Sequence, residues 1–163
     1  MIHRLIRPLT VALSIIALAA CGSSNSPMAM SGSPGVDLGD DLSGAAPTRI
    51  VSLSPSGTEM LFAIGAGDQV VAVDTYSYFP EGTPVTDLSG WEPNVEAIIG
   101  YEPDLVLMSY DPGDVVAGLE AAGVKAVVQP AAVVVADTYT QMLELGDLTG
   151  RSAQAAQVVA EIQ

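Results

Sequence analysis

Tyr76, Tyr78, Phe79 and Trp91 fall close together in a chain with only 5% aromatic residues. Such rings supply large apolar contact with a polar tip, and a flat macrocycle or a catecholate chelate is the kind of surface they stack on. The plainer reading is that one or more of them cover the edge of a sheet. Upstream, Ser54 and Ser56 bracket Pro55 at the start of a helical pattern. There they would offer hydroxyls or N–H groups to an anionic ligand group, or simply cap the helix.

Enzymatic chemistries are thin by comparison. His3 is the only histidine and lies in the extreme amino-terminal stretch, so a Ser-His-Asp triad has no base in the folded part. No Gly-x-Ser-x-Gly elbow surrounds Ser54 or Ser56, which removes the usual strained-turn nucleophile. Gly65, Ala66 and Gly67 sit at a helix exit, whereas a dinucleotide fingerprint needs its glycines at a helix entry. With no further histidine and the single cysteine Cys21, a nitrogen or sulfur metal cage is excluded. No cofactor is expected, and any metal would arrive already chelated inside a ligand or meet carboxylates alone. Glu92 and Glu96, four apart, are the one pair that resembles a glycosidase-like acid couple, and no cleft residues accompany them.

The elements that must position these residues read as alternating strands and helices. Short apolar runs predict strands at 50–53, 70–73, 105–108 and 126–129, of the kind buried on both faces in a parallel sheet. Helical segments are expected near 58–64, 95–101 and 112–122, with another from about 137 to 148. The Ser56 hydroxyl is expected to accept from the Glu59 amide while the Glu59 carboxylate reaches back to the Ser56 amide, a capping box. Gly65 suits the left-handed stop of that helix. Asp111 before Pro112 predicts a cap followed by a first helical residue, and Gly123 closes that helix. Ser152 is read as the cap of a last helix over 153–163, with Ala156, Val159 and Ile162 on its apolar stripe. Alternation of this kind implies an α/β lobe, a parallel sheet with flanking helices joined by right-handed crossovers. The serine turn and the aromatic loop both follow carboxyl ends of strands, where open parallel sheets place ligands.

Outside that lobe the sequence changes character. Residues 1–20 carry Arg4 and Arg7, an apolar run and small residues before Cys21, the pattern of a secretory signal. The run is shorter than the roughly 20 residues a transmembrane helix needs. Leu18, Ala19, Ala20 and Cys21 resemble a lipobox, in which Cys21 becomes the lipidated first residue, and a lone cysteine has no internal disulfide partner. Lipidation would anchor the chain to the outer face of a membrane. Residues 21–47 are Ser, Gly, Pro, Met and Asp without apolar periodicity, a disordered tether whose reach is roughly 25 to 30 Å. The formal charge is −14, and loss of Arg4 and Arg7 with the signal leaves three basic residues against 19 acidic ones, a charge of −16. Phosphate binding depends on clustered Lys and Arg, so the charge disfavours nucleic acid, and none is expected as a partner. The charge itself suits solubility outside the cell.

Several motifs in fixed order carry a resemblance. Arg49 to Phe62 with Gly65, Val70 to Pro80, Asp87 to Ile98, Glu102 to Leu107, Ala121 to Val124 and Leu148 to Arg151 resemble the amino-terminal lobe of the cobalamin and ferric-siderophore class of periplasmic binding proteins. These are substrate-capturing subunits of ATP-driven importers. The resemblance spans 48–163 and implies a single Rossmann-like lobe of a two-lobe protein, ending in the start of the long helix that crosses to the second lobe. A closed two-lobe receptor needs roughly another hundred residues, so the chain is expected to be part of a receptor, by a truncated gene, a frameshift or an incomplete record. The resemblance places Tyr76 and Trp91 in the ligand cleft. It puts Ser109 where cobalamin binders often show an aromatic, which leaves Tyr110, one residue later, as a candidate contact. Glu96 matches an exposed glutamate that pairs with arginines on the permease, although the helix dipole alone favours an acid in that first turn. The implied function is capture of a cobalamin-like corrinoid or ferric siderophore and delivery to an ABC permease. The competing reading is a remnant without a transport role, or a secreted, tethered α/β module.

Overall fold

The computed structural model describes residues 45–163. The expected signal, the expected lipidation site Cys21 and nearly all of the expected 21–47 tether therefore lie outside the described residues. Four parallel strands, β1 (Ile50–Leu53), β2 (Val70–Val73), β3 (Leu105–Met108) and β4 (Lys125–Val128), form one sheet in the order β2-β1-β3-β4. Around them lie α1 (Pro55–Ala63), α2 (Val95–Ile99), α3 (Val115–Ala121), α4 (Val135–Thr149) and α5 (Ser152–Ile162), with a 3-10 turn at Gly67–Gln69.

Side-chain alternation along β1 and β3, with a register irregularity where β1 meets β2, splits the core into two layers. Ile50, Val70, Val73, Leu105 and Leu107 pack with Leu61 and Ile64 of the α1 region, Met142 and Leu145 of α4, and Ala155 and Val159 of α5. Val51, Leu53, Ala72, Val106 and Met108 face the other way, onto Ile98 of α2 and Val115 and Leu119 of α3. The inner strands β1 and β3 are buried throughout. β4 exposes Lys125 and Val128, as expected of an edge strand. Within this core Ser52 and Thr58 are fully buried. Thr58 Oγ1 donates to Ser52 Oγ at 2.8 Å and Ser52 Oγ to the Ser54 carbonyl at 3.3 Å, which satisfies both hydroxyls and ties α1 to β1.

The α1 cap differs from the sequence expectation. Pro55 takes the first helical position, so Ser54 is the cap residue and its hydroxyl accepts from the Gly57 amide. Ser56 and Glu59 are then two residues too far along for a capping box, and both are exposed. α3 starts at Val115 rather than Pro112, because Gly113 and Asp114 both take positive φ, 84° and 64°. Asp111 still serves that start, accepting at Oδ1 from the Val115 amide at 2.9 Å. The last helix begins at Ser152 without a side-chain cap on Arg151, since left-handed Gly150 turns the chain directly out of α4. Its buried face runs through Ala155 and Val159, while Ala156 and Ile162 are exposed. The register follows from Gly146, whose missing Cβ would stand 2.5 Å from the Ala155 Cβ where α4 and α5 meet.

At the amino-terminal edge of the sheet Asp104 clamps the entry to β1. Its carboxylate accepts from the Thr48 amide and hydroxyl at 2.8 and 3.0 Å and from the Arg49 amide at 3.0 Å. Burial pushes this carboxyl up, but the donations from the Thr48 and Arg49 amides and the Thr48 hydroxyl together outweigh it and hold it below the usual carboxylate range. A carboxyl depressed by folding stabilises the fold above its unfolded pKa, near 3.8, and loses that contribution as pH falls through the folded value. Asp104→Asn is therefore expected to flatten the loss of stability on acidification below about pH 4, as read from urea midpoints at a series of pH values. A parallel loss in parent and variant refutes the clamp.

Candidate functional site

Strand order places the reversal of winding between β1 and β3: the chain leaves β1 to form β2 on one side, then returns across β1 to form β3 on the other. The crevice outside the carboxyl ends of such a pair is where open α/β sheets accept ligands. Here that edge is built from the turn Ser54–Ser56, the loop after β2 and the residues Ser109 and Tyr110 after β3.

The loop after β2 is tied down by its own polar groups. Asp74, 2% exposed, accepts from the Ser77 hydroxyl, and the Asp74 amide donates to the Ser52 carbonyl. A parallel bridge between Val73 and Val85 brings the chain back alongside β2. The Thr75 amide then donates to the Leu88 carbonyl at 3.1 Å, joining the Tyr76 loop to the segment that carries Trp91. Gly90 crosses directly over the end of β1: a Cβ there would lie 2.7 Å from the Leu53 carbonyl oxygen and 2.6 Å from Asp74 Oδ2. Only a glycine allows this approach.

Beyond Gly90 the chain delivers Trp91 to the neighbourhood of β3. The Tyr110 hydroxyl donates to the Trp91 carbonyl at 2.7 Å, and the two rings lie 5.6 Å apart at 59°, a tilted arrangement favoured by the ring quadrupoles. Trp91 nevertheless keeps 74% of its surface exposed, and Tyr76, Tyr78 and Phe79 keep 60 to 72%. Four exposed aromatic rings thus lie on the connection that leaves the carboxyl end of β2.

The remaining expected contacts divide. Ser54 is 2% exposed, and its hydroxyl accepts from the Gly57 amide at 3.2 Å and from the Ser109 hydroxyl at 2.9 Å. Ser54 thus links the exits of β1 and β3, with both of these bonds accepted from protein donors. Ser56 is exposed, with its hydroxyl 3.5 Å from that of Ser54. Glu96 is exposed in the first turn of the five-residue α2, whose cap Asn94 accepts from the Ala97 amide. Three residues escaped the sequence reading: Asp74, Ser77 and Gly90. Only the Ser-Gly pair before the sole tryptophan hinted at them. Among the described residues no three His, Cys, Asp or Glu side chains gather closely enough to hold a metal ion.

Comparison with known proteins agrees with this architecture. The profile of the periplasmic binding protein family matches residues 50–163. A cobalamin-binding protein of Halobacterium salinarum is 34% identical over 122 residues, covering 72% of this chain and 33% of that protein. An uncharacterised ABC transporter substrate-binding lipoprotein of Bacillus subtilis is 34% identical over 123 residues, 72% of this chain and 39% of that one. Among solved structures, a possible iron-binding periplasmic solute-binding protein of Staphylococcus epidermidis superposes with a TM-score of 0.63 at 32% identity, covering 72% of this chain and 48% of that one. A periplasmic heme-binding protein of Pseudomonas aeruginosa gives a TM-score of 0.65 at 26% identity, with 71% and 43% covered. These relatives are named as binding proteins rather than enzymes, and the chain spans between a third and two fifths of the length of the two curated relatives described. On the sheet order, the profile match and these likenesses, the chain belongs to the periplasmic binding protein family.

Proposed function

We propose that the chain provides the ligand-capturing lobe of an ABC importer's substrate-binding protein, taking up a metal chelate, a cobalamin-like corrinoid or a ferric siderophore, for delivery to a permease. The exposed rim of Tyr76 and Trp91 over the β1–β3 reversal carries this reading. Large rings left in water on a braced edge suit stacking against a broad ligand. Tyr110 contributes by holding Trp91, and Ser56 by its free flank at the start of α1. Glu96, exposed beside this rim on α2, is the proposed contact for arginines of the permease. Lipidation at Cys21 and a tether over 21–47 would hold the lobe outside the membrane within reach of that partner.

Trp91 is the sole tryptophan and so reports directly on the rim. Titration with a corrinoid, haem and a ferric trihydroxamate is expected to give saturable quenching with at least one of them. Trp91→Ala, followed by equilibrium dialysis, is expected to weaken that ligand about tenfold, the loss of roughly one good stacking contact. Quenching by none of the three, or an unchanged affinity in the variant, defeats the assignment.

A further inference from the structure

The distribution of charge across the sheet selects among chelates, an inference that rests on the receptor reading above. All three basic side chains of the described residues stand at the amino-terminal edge. Arg49 immediately precedes β1 and gives its guanidinium to the Tyr101 and Glu102 carbonyls at 2.6 and 2.9 Å. Lys125 opens β4. Arg151 pairs at 3.1 Å with Asp68, in the turn that leads into β2.

The carboxyl edge is the opposite. The loops leaving the four strands contain Asp74, Glu81, Asp87, Glu92, Asp111 and Asp114, and no Lys, Arg or His. A four-residue strand separates the two edges by about 10 Å, beyond the screening length of roughly 8 Å at physiological salt. The three cations therefore do not neutralise a charge held at the rim. Asp74 is buried, but Glu81, Asp87, Glu92, Asp111 and Asp114 are exposed, so a ligand there meets carboxylates in water beside Tyr76 and Trp91, whose ring quadrupoles also attract cations.

We infer that this rim discriminates by ligand charge, accepting chelates of zero or positive net charge and disfavouring polyanionic ones. A ferric tris-catecholate, or a tetrapyrrole bearing two free carboxylates, approaches like charge with no basic partner on this edge among the described residues. A corrinoid or a ferric trihydroxamate does not.

Three iron probes separate charge from metal chemistry: a singly cationic linear ferric trihydroxamate with a free amine, a neutral cyclic ferric trihydroxamate and a triply anionic ferric tris-catecholate. With the full chain at physiological ionic strength, equilibrium dialysis is expected to show the catecholate complex bound at least about tenfold more weakly than the cationic one. Added salt should narrow the gap, as should the double variant Glu81→Lys with Glu92→Lys, both exposed positions. Tightest binding of the triply anionic complex, or a gap indifferent to salt and to the double variant, overturns the charge inference and leaves the receptor reading standing. Binding of none of the three, nor of a corrinoid, overturns both.

Discussion

Leu107→Ala is expected to lower the free energy of unfolding by about 2–5 kcal/mol, and Gly57→Ala in the same chain to return part of that loss. Leu107 is fully buried in β3 at the centre of the sheet, so its truncation leaves a cavity that neighbouring strands cannot close. Gly57 sits in the first turn of α1 directly above it: a Cβ at Gly57 would stand 2.5 Å from Leu107 Cδ2 and 3.1 Å from Ser54 Oγ. Gly57→Ala alone gains up to about 1 kcal/mol of helix propensity. It also forces a well-packed core side chain aside, at about 1–3 kcal/mol. The overpacking wins, because Leu107 has no exposed direction in which to retreat. In the double variant the obstructing methyl is gone and the new Cβ occupies its space. Urea denaturation of the four proteins should give a favourable coupling above about 0.5 kcal/mol. Strict additivity would mean that α1 does not lie against β3 at this point.

That contact illustrates what the sequence made legible. β1, β2 and β3 were readable to the residue because short runs that are wholly apolar, or apolar but for Ser52 in β1, and bounded by polar turns have few alternatives to a strand buried on both faces. β4 was displaced by one residue, since its first member is the exposed Lys125, which apolar counting discards. Helix starts were less legible. At α1 two serines flank Pro55, and choosing between them requires knowing that proline takes the first helical position. At α3 the start waits until Gly113 and Asp114 have turned the chain in a left-handed conformation. In α5 the buried stripe is set by where Gly146 admits Ala155, a tertiary fact that periodicity over one helix does not contain.

The rim was legible as a set of residue types and illegible as an arrangement. Tyr76 and Trp91 stand out because aromatics are scarce here and follow strand ends. The Tyr110–Trp91 pairing joins two loops 19 residues apart and leaves no periodic trace. The bond from Ser109 to Ser54 joins residues 55 apart, so the sequence around Ser54 carries no trace of it. The absence of cations near the rim needed the strand directions as well, since basic residues are scattered along the sequence and become one-sided only when every strand points the same way.

Gly90→Val tests the crossing over the end of β1 and is expected to cost about 1–3 kcal/mol or somewhat more. The Cβ would lie 2.7 Å from the carbonyl oxygen of Leu53 and 2.6 Å from Asp74 Oδ2. Leu53 ends a strand held between two neighbours, and Asp74 is nearly fully buried and engaged by Ser77. Neither side of the contact can give, so the loop must lift. Lifting breaks the bond from the Tyr110 hydroxyl to the Trp91 carbonyl and separates the two rings. The variant should therefore lose the near-ultraviolet circular dichroism of the Trp91–Tyr110 pair along with stability, whereas Tyr110→Phe should weaken that signal at a cost of only about 0.5–1.5 kcal/mol, the worth of one hydrogen bond. The comparison separates two causes of a displaced rim. If Gly90→Val unfolds at the parental urea midpoint and keeps the aromatic signal, the loop is not braced on β1 at Gly90, and the place of Trp91 is fixed by Tyr110 alone.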